Sequence, residues 1–336
     1  MARPQPGPHM RRREFLGMVG GVAASAWPLA ARAQQKAMPV IGYFSSRSSQ
    51  SEAPLLPAFR KGLAEAGYEI GRNVAIEFRH SDGQDARLPE LAADLVRRNV
   101  SVLVATDRPS ALAAAAATTT LPVVFLTGLD PVGQGLAASF SRPDRNLTGI
   151  NVFTVELGPK RFELLREMVP NAAEMAFIVN PRSAAAAYQV GELTAAAKAS
   201  GQGIVVVNVG AEPEVNPAFE TIAKRKVGAV LYSANLFYQV VLDRLVALAA
   251  RHAVPAMYEW REFVEAGGLM SYSVSRPEAW HQVGLYTGQV LQGIRPADLP
   301  IVQSTKFELV INLKTAKTLG LAVPPALLAR ADEVIE

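Results

Sequence analysis

Six loops in the 336-residue sequence crowd small polar side chains directly behind short apolar runs. They are Ser45-Ser46-Arg47-Ser48-Ser49, Thr106-Asp107-Arg108-Pro109-Ser110, Thr127-Gly128-Leu129-Asp130-Pro131, Asn180-Pro181-Arg182-Ser183, Ser233-Ala234-Asn235 and Tyr258-Glu259-Trp260. Hydroxyls and free N–H groups at a helix N-terminus bind carboxylates, because donors and dipole both point at the anion. Ser110, behind Pro109, is expected to open a helix in that way. An ammonium group needs an acceptor, and Asp107, Asp130 and Glu259 are the candidates. Phe44, Phe153, Tyr188, Phe237, Tyr258 and Trp260 lie near the same ends and suit an apolar or aromatic body. The chemistry these residues suggest is capture of a small solute with a charged end. The expected ligand contacts are Phe44, Ser45, Ser46, Thr106, Asp107, Ser110, Thr127, Asp130, Phe153, Asn180, Tyr188, Asn235, Tyr258 and Glu259. Each has a plainer reading: strand-end hydroxyls also cap helices, Asp130-Pro131 also makes a turn, and a single aromatic also fills a core.

Signatures of catalysis are missing. The four histidines (His9, His80, His252, His281) are scattered, and none stands in H-E-x-x-H spacing. There is no G-x-S-x-G elbow and no G-x-x-x-x-G-K-[ST] loop. Gly128 to Gly135 lacks dinucleotide-fingerprint spacing, and Asp82-Gly83-Gln84-Asp85 does not continue into a calcium loop. Cysteine is absent, which removes thiolate metal sites, disulfides and a cysteine nucleophile. The sequence therefore points to a binder, with no enzyme activity, cofactor or metal expected.

The elements that hold these loops alternate. Apolar runs at 38–44, 73–79, 101–106, 122–126 and 147–152 read as strands, with helical periodicity over 54–67, 86–98, 110–118 and 133–140 between them. The pattern restarts with helices over 158–168, 184–200, 217–226, 240–252 and 277–293. The strands of that half fall at 174–179, 204–209, 229–232, 255–258, 268–271 and 307–312. A closing helix starts at 313–319. Two β-α-β-α runs predict an α/β protein of two doubly wound parallel-sheet lobes. Ligands of such sheets bind beyond the carboxyl ends of the strands, where the six loops stand.

Charge is unevenly placed. The net charge is +4 and the pI about 9.3. Five of the 34 basic residues but only one of the 30 acidic ones fall within residues 1–33, so the rest of the chain is neutral. A neutral body lacks the footprint for a nucleic-acid partner. Residues 1–33 read as an export signal of the twin-arginine type. Arg12-Arg13-x-Phe15-Leu16 leads a mild apolar stretch, and Ala31-Arg32-Ala33 is a cleavage site with Gln34 following. The stretch is too short to span a bilayer. Met10 is an alternative start. The expected location is the periplasm.

Longer runs carry a family resemblance. IGYFSS (41–46), ATTTLPVVFLTGLDPVGQGL (117–136), SRPDRNLTGIN (141–151), KRFELLREMVPN (160–171), REFVEAGGLMSYS (261–273) and PADLPIVQSTKFELVINLKTAKTLGL (296–321) resemble the TrpX-like ABC transporter substrate-binding proteins. The resemblance implies a type I periplasmic binding protein fold and an amino-acid or aromatic-acid ligand. It also implies an inner-membrane ABC permease as partner. Its three-crossing hinge would place crossings near 149–154, 272–276 and 300–306. Lobe 1 would then be 38–149 plus 275–300, and lobe 2 would be 150–272 plus 305–336. Thr106-Asp107-Arg108-Pro109 replaces the small turn usual in that family, which puts Asp107 and Arg108 where they alter charge recognition. A monomer is expected. The alternative function is a sensor presenting its closed form to a membrane kinase or chemoreceptor, and a more distant one is an exported hydrolase.

Overall fold

The computed structural model describes residues 38–336; the export signal expected over residues 1–33 and its expected cleavage point lie outside them. Strands and helices alternate because short β-branched runs are followed by amphipathic stretches. The strands are β1 (Val40–Ser45), β2 (Ala75–His80), β3 (Val102–Ala105), β4 (Val123–Thr127), β5 (Leu147–Asn151), β6 (Glu174–Val179) and β7 (Gly203–Asn208). They continue as β8 (Ala229–Tyr232), β9 (Ala256–Tyr258), β10 (Met270–Val274), β11 (Val302–Gln303), β12 (Phe307–Asn312) and β13 (Glu333–Ile335). The helices are α1 (Ser49–Glu52), α2 (Leu56–Glu65), α3 (Leu88–Arg97), α4 (Arg108–Ala117), α5 (Gly158–Met168), α6 (Ala186–Ser200) and α7 (Val215–Arg225). After them come α8 (Phe237–Val240), α9 (Leu242–Arg251), α10 (Arg261–Glu265), α11 (Arg276–Leu291), α12 (Leu313–Thr318) and α13 (Pro325–Leu328).

The strands make two sheets. The first runs β11-β5-β4-β3-β1-β2, with every pair parallel. The second runs β13-β12-β10-β9-β8-β6-β7. Strands β3 and β4 are buried at every residue, as expected for parallel strands covered by helices on both faces. One pair departs from the parallel expectation: β12 runs antiparallel to β10. The cause is the connection. Residues 304–306 carry the chain directly from β11 into β12, with no helix to take it back to the far end of the second sheet. The strand therefore enters from the carboxyl ends of its neighbours and has to run the other way.

Two further expectations are corrected. Residues 133–140 form turns rather than a helix. The Asp130 carboxylate takes the N–H groups of Val132 and Gly133, both at 3.0 Å, and Gly135 turns left-handed at φ +71°. The helix expected over 240–252 is broken at Val241, whose φ of −107° and ψ of 21° separate α8 from α9.

The chain passes between the sheets after β5, after β10 and after β11. These connections are laced together. Ser304 N–H donates to the Asn151 carbonyl at 2.9 Å, and Ser275 N–H donates to the Lys306 carbonyl at 2.9 Å. Helix α11 returns to the first sheet and lies against α2 with the two backbones in contact. A Cβ placed on Gly62 would stand 2.0 Å from the His281 carbonyl oxygen, and one on Gly284 would stand 2.1 Å from that of Phe59. Only glycine permits this approach, and it fixes the N-terminus of α11 at the mouth of the first sheet.

Candidate ligand-binding site

The carboxyl ends of the two sheets surround a cavity of about 1030 Å³. The first sheet contributes the loops behind β1 to β4, and the second contributes those behind β6, β8 and β9. The start of α11 closes one side through Arg276 and Trp280.

Five of the residues expected from the sequence line this cavity: Ser46, Asp107, Asn180, Asn235 and Glu259. Asp107 does so with its carboxylate already engaged. Its Oδ2 accepts from the Ser46 N–H and the Ser46 hydroxyl, both at 2.8 Å, and lies 3.0 Å from the Ser45 hydroxyl. Its Oδ1 accepts from Ser110 N–H at 2.9 Å and so caps α4. Asp107 ties the loops behind β1 and β3 together and is not a free acceptor for an ammonium.

Nine expected residues do not line the cavity. Ser110 is the third residue of α4, and its hydroxyl donates to the Asp107 carbonyl at 2.9 Å, so the helix N-terminus is closed by its own capping box. The Ser45 and Thr106 hydroxyls lie 2.8 and 2.7 Å from Oε1 of Glu52, a fully buried carboxylate. Thr127 is buried, and its hydroxyl accepts from Leu129 N–H at 3.2 Å. Asp130 is spent on its own turn. Phe44 is fully buried on the opposite face of its sheet, among Leu88, Leu95 and Leu103. Tyr258 stacks between Tyr232 at 5.1 Å and Phe263 at 4.9 Å in the core. Phe153 stacks with Phe140 at 6.4 Å. Tyr188 is about half exposed on α6.

Of the three expected acceptors, Glu259 is the one that stays open to the cavity. It is buried and accepts one backbone N–H, from Asn235, at 3.2 Å. Burial pushes its carboxyl up to about 7, against the pull of Arg161, the Asn235 N–H, Arg276 and Arg47. Asn235 is itself held, because its side-chain oxygen accepts from Asn180 Nδ2 at 3.1 Å and from Phe237 N–H at 3.0 Å.

The sequence reading gave no site role to Arg276, Trp280, Arg47 or Glu52. Arg276 Cζ lies 5.1 Å from the Trp260 ring centroid and 5.5 Å from that of Trp280. Arg47 Cζ lies 5.3 Å from the Trp280 ring and is paired with Glu52 at 3.4 Å. Cations over indole faces are held by the ring quadrupole, more strongly when buried. Arg276 Nη1 donates to Glu262 at 2.7 Å. Its Nε and Nη2 find no partner among the described residues, nor do Arg47 Nε and Trp260 Nε1. One signal was available: Arg276 and Trp280 are four residues apart, the spacing of neighbours on one helix face. Among the described residues no group of three His, Cys, Asp or Glu is placed to hold a metal ion, and no helix is long and apolar enough to cross a membrane.

Residues 50–335 match the family described as "ABC transporter substrate binding protein". The chain belongs to that family. This substrate-binding protein is 24% identical over 264 residues to the "Tyrosine-binding protein" of Clostridioides difficile (strain R20291), over 78% of this chain and 75% of that one. It is also similar to an ABC domain from Streptococcus pneumonia solved in complex with L-Trp. That match has 26% identity and a TM-score of 0.80, and it covers 88% of this chain and 99% of the other. A periplasmic binding protein/LacI transcriptional regulator from Alkaliphilus metalliredigens QYMF shares the fold alone. Its identity is 11% and its TM-score 0.56, over 80% of this chain and 96% of its own. The substrate-binding protein therefore has the α/β, two-lobed architecture of type I periplasmic binding proteins.

Proposed function

We propose that this protein is the periplasmic solute-binding component of an ABC importer. Its solute is a small amino-acid-like molecule with an aromatic or apolar body, held in the cavity between the two sheets. The observation that carries the reading is Glu259, a buried carboxylate on the cavity wall beside Trp260. A buried charge is retained where something pairs with it, and a solute ammonium is the partner that this position suits. Trp260, Phe237, Leu236 and Leu129 supply apolar wall for the side chain. The relatives solved with L-Trp or named for tyrosine support the solute class.

The cavity is larger than one amino acid needs, which fits a cleft that closes on its solute. The segments 38–149 plus 275–300 and 150–272 plus 305–336 would move as the two lobes. The closed form would dock as a monomer on the permease after export and cleavage behind Ala33. Titration with L-tryptophan, L-tyrosine and L-phenylalanine by calorimetry tests the reading, with binding of at least one in the micromolar range or tighter expected. Absence of heat with all three, and with the apolar amino acids, would refute it.

A further inference from the structure

Several buried donors around the cavity lack acceptors, and they converge on one side chain. Arg276 begins α11, directly behind the second connection between the sheets. It is 6% exposed. Trp260, from the loop behind β9, covers it on one side, and Trp280, one helical turn on in α11, lies against it as well. Both indoles line the cavity, as Arg276 does. The guanidinium has two usable edges. Nη1 is taken by Glu262, while Nε and Nη2, which together form the side-on edge of the fork, have no partner among the described residues. That edge matches the two oxygens of a carboxylate. Trp260 Nε1 and Arg47 Nε add two more unpaired donors in the same cation–indole cluster.

Buried donors without acceptors are costly, and native proteins leave few of them. Two carboxylate oxygens here, Glu262 Oε2 and Glu52 Oε2, are unpaired as well, but both belong to carboxylates already paired with Arg276 and Arg47 through their other oxygen. The Arg276 edge, Arg47 Nε and Trp260 Nε1 are donors, the complement of an anion. They sit opposite in chemistry to Glu259 within one cavity.

We propose that Arg276 is the carboxylate-binding residue of the cavity, receiving the acid group of the solute on its Nε–Nη2 edge between Trp260 and Trp280. The inference rests on the solute-binding reading above and deepens it. The acid group becomes the element the site requires, and the amine a secondary one. The solute class is then planar or apolar monocarboxylates, amino acids among them. The unpaired atoms are covered in this arrangement, so the guanidinium turns to meet the solute as it enters.

Three probes separate the two ends of the solute: L-tryptophan, indole-3-propionate (acid without amine) and tryptamine (amine without acid). Calorimetry on the wild type is expected to show binding of the first two and none of tryptamine. R276Q is expected to weaken both acids about a hundredfold or more, the scale of a lost charge-assisted bidentate contact. R276K retains the cation and its Glu262 partner but lacks the planar edge. It guards against a folding defect in R276Q and is expected to recover only part of the affinity. Tryptamine binding as tightly as L-tryptophan, or wild-type affinity for the acids in either variant, would overturn the inference and leave the parent reading standing. Failure of all three probes to bind the wild type would overturn this inference, and it would bring down the parent reading only where L-tyrosine, L-phenylalanine and the apolar amino acids fail as well.

Discussion

The indole N–H of Trp280 donates to the hydroxyl of Tyr43 at 2.9 Å, joining the first turns of α11 to the middle of β1. Trp280 thus has two duties: one edge anchors the helix in the first lobe, and its face carries Arg47 and Arg276 at the cavity.

Those duties separate on substitution. Trp280→Phe keeps most of the packing and loses the hydrogen bond, which is expected to cost about 1 kcal/mol. Trp280→Ala also opens a cavity in a fully packed site and is expected to cost about 3–5 kcal/mol. Urea unfolding followed by tryptophan fluorescence measures both. Equal losses for the two variants would mean that the packing contributes little.

Asp107 should behave as a structural carboxylate. Asp107→Ala removes the cap of α4 and releases the Ser46 loop, with an expected loss of about 1–2 kcal/mol. Asp107→Asn keeps one acceptor oxygen and should recover part of that loss. Thermal unfolding of the three proteins decides between this role and a direct contact to the solute amine, which would leave stability untouched.

The contact between α2 and α11 leaves no room for a side chain. Gly62→Ala and Gly284→Ala each drive a methyl group into a backbone carbonyl of the facing helix. Each is expected to destabilise the protein by about 2 kcal/mol or more, although alanine favours helix elsewhere. A midpoint raised by either substitution would contradict the close approach.

Glu259 gives the protein a pH dependence of defined sign. Its folded pKa of about 7 lies above the ordinary 4.5, so the native state holds the proton more tightly than the unfolded chain. The stability it contributes is present below about 4.5 and is lost as pH rises through 7. Glu259→Gln should remove that decline in a series of melts from pH 4 to 8. Binding runs the other way, because an ammonium pairs with the carboxylate. Affinity for L-tryptophan should fall about tenfold from pH 8 to pH 6, while affinity for indole-3-propionate should not. The same slope for both solutes would remove Glu259 from the amine end.

The architecture was legible because its signals are local. Glu174–Val179 and Gly158–Met168 have the bounds that hydrophobic periodicity gives them, and the polar loops do stand at the carboxyl ends of the strands. Side-chain direction at those ends was not legible. Phe44 and Tyr258 each stand at or next to the end of a strand, where a shift of one residue exchanges the core for the cavity. Ser110 reads as a helix opener from Pro109, but Asp107 is the cap, and the D-x-x-S spacing then turns the serine inward. Arg276 was hidden for a longer-range reason. Strand β10 extends to Val274 because it pairs with β12, a partner that arrives more than thirty residues later from the other sheet. That pairing, invisible to local pattern, delivers Arg276 to the cavity instead of to a loop.

Binding itself is the claim on which the rest depends. A thermal melt of the purified protein with and without L-tryptophan, L-tyrosine and L-phenylalanine tests it most directly. A solute that binds only the folded state stabilises it by about 4 kcal/mol at a thousandfold excess over Kd, which raises the midpoint by about 5 °C or more. A shift of that size with at least one of the three is the predicted result. An unchanged midpoint with all of them, repeated with the apolar amino acids and with indole-3-propionate at the same excess, would contradict the account.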